Sequence, residues 1–245
     1  EQPDLSAAYA IADWQARGEY VYRTLYENAE RSQQGVRTWL NEQGIPYYPL
    51  WISNALMVRG DADTVQALAA RADVALLRAN HVTTLYEGDV IRPANPAGDL
   101  AQDDDEPDVR VPWNITQIGA DRVWHDFGIS GQGMVIANID NGVRYDHPAL
   151  VQQYRGYRSP ARIVHDYNWF DIRGEGPSSS TWGNHGTHVM GTMVARGGGA
   201  DNMPAVGVAP GARWIAARGC QRTLCPEFDL IAAAQWMLAP TTLEG

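Results

Sequence analysis

Asp140 and His185 are the residues of this chain whose neighbours best suit them to chemistry. Asp140 ends the apolar run Met134-Val135-Ile136-Ala137-Asn138-Ile139, and the turn pair Asn141-Gly142 that follows leaves its carboxylate facing outward. His185 opens a small-residue helical stretch, Gly186-Thr187-His188-Val189-Met190-Gly191-Thr192. A carboxylate that orients an imidazole, and an imidazole that moves a nucleophile's proton, are two of the three groups of a Ser-His-Asp triad. The partial positive charge at a helix N-terminus suits the neutral ring that a general base needs. Taken singly, each residue has a plainer reading, an Asx turn for Asp140 and a helix cap for His185.

The third group is missing from the sequence. No serine follows His185. Ser178, Ser179 and Ser180 precede it in a Gly/Pro-flanked loop with no nucleophile-elbow context, and Ser130 in Gly128-Ile129-Ser130-Gly131-Gln132 fails G-x-S-x-G at its last position. His188 lies three residues after His185, whereas a zincin helix sets two His four apart around a Glu, and no Glu is present. No metal ligand is therefore assigned, and His188 reads as a packing residue or a support behind His185. Gly131-Gln132-Gly133 precedes a strand rather than following one, so it is not a dinucleotide loop.

These residues sit where helix and strand alternate. A short helix spans Asp121 to Phe127 and is closed by Gly128; a buried strand spans Met134 to Ile139; a helix runs from His185 to Arg196 with Gly197-Gly198-Gly199 beyond it. Trp214-Ile215-Ala216-Ala217 is a further strand, and Glu227 to Leu238 is an amphipathic helix with Leu230, Ile231, Ala234 and Leu238 on one face. This predicts an α/β domain over 113–245 with a parallel sheet, cut off midway. In such sheets reactive groups gather at the carboxyl ends of strands, where Asp140 falls.

The first half has a different pattern. Residues 1–18 carry Leu5, Ala8, Ile11 and Ala12 at helical spacing, with Gly18 as a stop. Residues 19–92 form a second unit. Within it, Tyr20 to Leu25 suits a strand, Asn28 caps a helix ending at Gly44, and Tyr47 to Val58 suits two strands. Asp61 or Asp63 caps a second helix ending near Asp73, and Val74 to Leu77 suits a last strand. The order β-α-β-β-α-β predicts a ferredoxin-like α+β sandwich. Residues 93–112 hold Pro93, Pro96, Pro107 and the run Asp103-Asp104-Asp105-Glu106, and read as a solvated acidic linker open to processing proteases.

Together the motifs resemble the subtilisin-like serine peptidases. Val135 to Val143, followed by Asp146-His147-Pro148-Ala149-Leu150, is similar to their Asp segment. Asn184 to Thr192 is similar to their His segment, and Gly207-Val208-Ala209-Pro210-Gly211-Ala212 to the turn entering the next core strand. The likeness covers 113–245, the first half of such a domain. The 19–80 unit resembles the family's inhibitory, chaperone-like propeptide. The phrase Tyr48 to Ala55 and the short Cys220/Cys225 loop suggest the bacillopeptidase F-like branch.

The resemblance implies a secreted endopeptidase zymogen acting on protein or peptide substrates. Asp140 would orient His185, and His185 would shuttle the proton of a serine lying downstream, as would the oxyanion-hole Asn. The propeptide would lay the segment near His81–Leu85 into the substrate cleft. The chain shown would be an inert fragment of a longer precursor unless its second half is supplied. The alternative is a propeptide-type inhibitor or binding module fused to a non-catalytic domain. Two positions depart from the family: Asn141 stands where Ser or Thr is usual, and Ala149 where many members carry an acidic calcium ligand. No cofactor is implied beyond a structural calcium in the full-length protein.

Composition fits this picture. Net charge is −10, which argues against nucleic acid or an anionic membrane as partner. All 19 basic residues are Arg, a bias that carries no function. No run of apolar residues is long enough to span a membrane. Cys220 and Cys225 could close a local disulfide, fitting an extracytoplasmic protein, or remain two free thiols.

Overall fold

A computed structural model describes residues 2–85, 111–177, 184–197 and 206–243. Its elements begin with helix α1 (Trp14–Glu42), strands β1 (Tyr47–Leu50) and β2 (Ala55–Val58), helix α2 (Ala62–Ala69) and strand β3 (Val82–Thr84). Helices α3 (Trp113–Ile118) and α4 (Ala120–Phe127) and strands β4 (Val135–Asp140), β5 (Tyr157–Ser159), β6 (Arg162–Ile163) and β7 (Trp169–Asp171) follow. Helix α5 (His185–Val194), strands β8 (Arg213–Arg218) and β9 (Leu224–Pro226) and helix α6 (Glu227–Leu238) complete the order. They divide into two compact units: Glu1–Thr83 with Pro226–Thr241, and Thr84–Cys225 with Thr242–Gly245.

The first unit is built on α1. Asp13 caps it by accepting the Ala16 N–H at 2.7 Å. Leu25, Ala29, Gln33, Val36 and Leu40 are buried along it at spacings of three and four, a helical stripe. It stops at Gly44, whose φ of 65° is one that glycine adopts without a Cβ penalty. There the Ile45 N–H reaches Leu40 C=O and the Gly44 N–H reaches Asn41 C=O, closing the last turn. The sequence expectation of a stop at Gly18, a strand over Tyr20–Leu25 and a cap at Asn28 is therefore replaced by one continuous helix. Tyr and Val favour strands locally, but the stripe running through Leu25 to Leu40 buries apolar area only as a helix.

The expected strand pair over Tyr47–Val58 forms as the antiparallel hairpin β1–β2, with Tyr47 opposite Val58 and Leu50 opposite Ala55. Asn54 turns the corner in the left-handed region, and its side-chain oxygen accepts from Ser32 Oγ (2.8 Å) and Gln33 Nε2 (3.2 Å). Gln33 Nε2 also donates to Ala55 C=O, so the nitrogen of this buried amide is paired on the hairpin. Asp61 caps α2, and its bonds from Thr64 hold the carboxyl below its ordinary value. The ferredoxin-like order is not found: among the described residues this unit has one antiparallel pair, and Val74–Leu77 is irregular. With Tyr20–Leu25 taken into α1, residues 74–77 have no strand to join. Val74 packs on the Leu40–Leu68 cluster, while Leu76 and Leu77 are exposed.

Helix α6 belongs to the same unit. Its Gln235 donates to Pro49 C=O and accepts the Ile52 N–H, and Phe228 meets Tyr48 edge to face. The face it buries is Asp229, Ala232, Ala233, Gln235 and Trp236, not the expected Leu230, Ile231, Ala234 and Leu238. The helix is apolar nearly all round, so its sequence marks no single inward face.

The second unit holds a three-stranded parallel sheet in the order β4-β8-β7. Its core gathers Leu150, Tyr154, Met190, Val194 and Trp214, each 1% exposed or less. The Trp214 indole N–H donates to Leu150 C=O at 2.8 Å, so the buried ring leaves no polar atom unpaired. Beside it, burial pushes the Tyr154 phenol up and the His165 imidazole down from their ordinary values. Strand β4 is less enclosed than its apolar run suggests. Among the described residues it pairs only with β8, leaving Val135 and Ala137 exposed while Asn138 and Asp140 are buried. Helix α4 is closed by Gly128 as expected. The 93–110 part of the acidic linker and Ser178 to Ser180 lie outside the described residues.

Candidate active site

The parallel register places Asp140, Arg218 and Asp171 in one row at the carboxyl ends of β4, β8 and β7. At that end the backbone must turn sharply, and Gly142 does so at φ 102°. The Asp140 carbonyl is fixed by the Gly219 and Cys220 N–H groups at 2.9 and 3.1 Å. Its side chain does not face outward as the turn suggested. Asp140 is only 5% exposed, and the carboxylate points at the first turn of α5. A buried carboxylate needs compensating donors. It has the Asn141 N–H at 2.7 Å and His185 Nδ1, which lies 2.9 Å from both carboxylate oxygens.

His185 is the first residue of α5, where the sequence put it. Its side chain is 38% exposed, so the ring is anchored through Nδ1 and reachable elsewhere. The carboxylate thus fixes Nδ1 as the protonated nitrogen and leaves the Nε2 lone pair as the basic site. His188 is exposed on the same helix, so it neither packs nor supports His185 as expected.

The close approach of α5 to β4 depends on Gly186. A Cβ there would sit 2.3 Å from Gly142 O and 3.0 Å from Asp140 Cβ. The first of these is backbone that has nowhere to go. Gly186→Ala is expected to destabilise the chain by about 1–3 kcal/mol through overpacking, read as a lower urea midpoint. An unchanged midpoint would show that α5 does not start against this turn.

Two features were not legible in the sequence. Arg218, 4% exposed, ends β8 and pairs with Asp171 Oδ2 at 2.9 Å and Glu175 Oε2 at 2.6 Å, giving the sheet end a buried ion pair beside Asp140. An Arg closing the apolar Trp214–Ala217 run was the only sequence signal for it. Asn138, inside an apolar run, is buried and donates to Gly186 C=O at 3.2 Å. Cys220 and Cys225, which could also have stayed free, are joined in a disulfide.

Among the described residues no three His, Cys, Asp or Glu side chains stand close enough to hold a metal ion. At the position where the resemblance implies an acidic calcium ligand, Ala149 offers no side-chain oxygen. Among the described residues, too, no helix is long and apolar enough to cross a membrane.

Residues 131–242 match the family model described as Subtilase family, Peptidase_S8. The chain is similar to bacillopeptidase F of Bacillus subtilis (strain 168), at 33% identity over 244 residues covering 96% of this chain and 16% of that protein. It is also similar to the minor extracellular protease Vpr of the same strain, at 38% identity over 106 residues covering 41% of this chain and 12% of Vpr. Fervidolysin of Fervidobacterium pennivorans is 32% identical over 172 residues, covering 65% of this chain and 22% of that protein. The chain therefore spans less than a quarter of the length of each of these relatives. Asp140 and His185, paired at the end of a parallel sheet, lie inside residues 131–242, the stretch that matches the subtilase family of subtilisin-like peptidases.

Proposed function

We propose that this chain is part of a secreted serine endopeptidase precursor that hydrolyses peptide bonds through an acyl-enzyme. The observation that carries this reading is the contact of His185 Nδ1 with both Asp140 oxygens at 2.9 Å. Asp140 orients the ring and stabilises the imidazolium. His185 takes the proton of a serine outside this sequence and returns it to the leaving amine. The 19–92 region acts as an inhibitory propeptide, with the segment near His81–Leu85 lying along the substrate cleft. The Leu85 N–H bond to Thr223 C=O at 2.6 Å supports that path, since an extended chain bonding backbone to backbone is how a peptide is held regardless of its side chains. The Cys220–Cys225 disulfide supports an oxidising, extracytoplasmic setting.

A fluorophosphonate probe tests the reading in the full-length protein. Labelling at one serine, with loss of casein hydrolysis in proportion, is the expected result. A full-length protein that neither labels nor cleaves casein would instead be the inhibitor or binding module.

A further inference from the structure

The first turn of α5 receives side-chain bonds from β4 and from Asn141, the residue just after it. Asn184, at the N-cap position, makes no side-chain capping bond. The N–H groups of a first helical turn have no partner within the helix and need one from outside. Asn141 supplies it: its Oδ1 accepts the Gly186 N–H at 3.0 Å. From the strand itself, Asn138 Nδ2 donates to Gly186 C=O at 3.2 Å. Two carboxamides, 9% and 0% exposed, thus bracket both peptide groups of the residue that follows His185. Asn141 also donates through Nδ2 to Arg222 C=O, in the loop closed by the Cys220–Cys225 disulfide, while its backbone N–H holds Asp140 Oδ1.

We infer that Asn138 and Asn141 are positioning residues that clamp Gly186 and so set the imidazole of His185 on the Asp140 carboxylate. This rests on the peptidase reading of the Asp140–His185 pair. The physical case is one of direction. Fixing only the Gly186 N–H would leave the turn free to swing about that bond; a second bond to its carbonyl stops the swing. Gly186 has no side chain with which to lock itself, and the space a Cβ would need is taken by Gly142 O and Asp140. The departure from the family's usual Ser or Thr at 141 then has a use: the longer Asn side chain reaches α5 and the disulfide loop together.

The test compares Asn138→Ala, Asn141→Ala and the double variant in the full-length protein, with Asn138→Ser keeping a hydroxyl donor at the strand. Each alanine is expected to lower kcat about 10- to 100-fold with KM within about twofold, since no substrate-binding group is removed. The double variant should fall little below the weaker single variant, because both act on one turn. Asn138→Ser should recover part of the loss. Amide exchange over residues 184–190, read by mass spectrometry, should quicken about tenfold in either alanine variant. Losses that appear in KM, or that multiply in the double variant, overturn the clamp. Should the wild type cleave no peptide, the peptidase reading fails, and exchange alone decides. Faster exchange in the variants then supports the clamp, and unchanged exchange overturns it. Should Asn141→Ala not fold, the Asn138 variants carry the same comparison.

Discussion

In the full-length protein, His185→Ala is expected to lower kcat for peptide hydrolysis by about 10⁶-fold and to stop self-processing. A serine hydroxyl does not release its proton near neutral pH, so attack on a carbonyl needs a base in contact with it. Within the described residues His185 is the imidazole held by a carboxylate at the carboxyl end of the parallel sheet, anchored by Nδ1 with its ring partly open. Alanine removes the proposed base and would leave a serine nucleophile dependent on water. The side chain is 38% exposed, so the truncation leaves little cavity, but it takes one of two donors from the buried Asp140 carboxylate, and melting is expected to fall while the variant stays folded. The measurement is kcat and KM on a chromogenic peptide, with the thermal transition as control. Activity within tenfold of wild type from a folded variant would remove His185 from the reaction.

Asp140→Asn comes next, with an expected loss of about 10⁴-fold in kcat. The replacement keeps volume and burial but changes which atoms donate. Asp140 Oδ1 already accepts the Asn141 N–H at 2.7 Å, so the amide oxygen of an asparagine would stay there. Its NH₂ would then turn onto His185 Nδ1, which could only accept. The ring proton would move to Nε2, the nitrogen that takes the serine proton in the proposed reaction. The loss is therefore one of tautomer rather than of fold, worth about 5 kcal/mol of transition-state stabilisation. The check is a full kinetic profile beside a melting curve. A loss below about tenfold would mean that Asp140 does not choose the tautomer.

The candidate pair was legible because its two local contexts are strong. An apolar strand ending in Asp-Asn-Gly and a helix opening His-Gly-Thr are each short-range patterns, and strand β4 and helix α5 form where those patterns lie. The hairpin over Tyr47–Val58, the Asp61 cap and the Gly128 stop were legible for the same reason. Tyr20–Leu25 misled because local strand preference is worth little against a buried stripe that continues for a further four turns of helix. Helix α6 misled because an apolar helix without a polar face does not say which side is inward.

The sequence by itself determined which residues could do chemistry, since residue type and near neighbours carry that information over a few positions. Only the tertiary structure decided how they meet. The inward turn of Asp140 onto His185, the ion pair of Arg218 with Asp171, and the reach of Asn138 and Asn141 to Gly186 join residues 45 to 48 positions apart. Such contacts are set by the β4-β8-β7 register and by a helix close enough to exclude a single methyl group, and no local pattern encodes either.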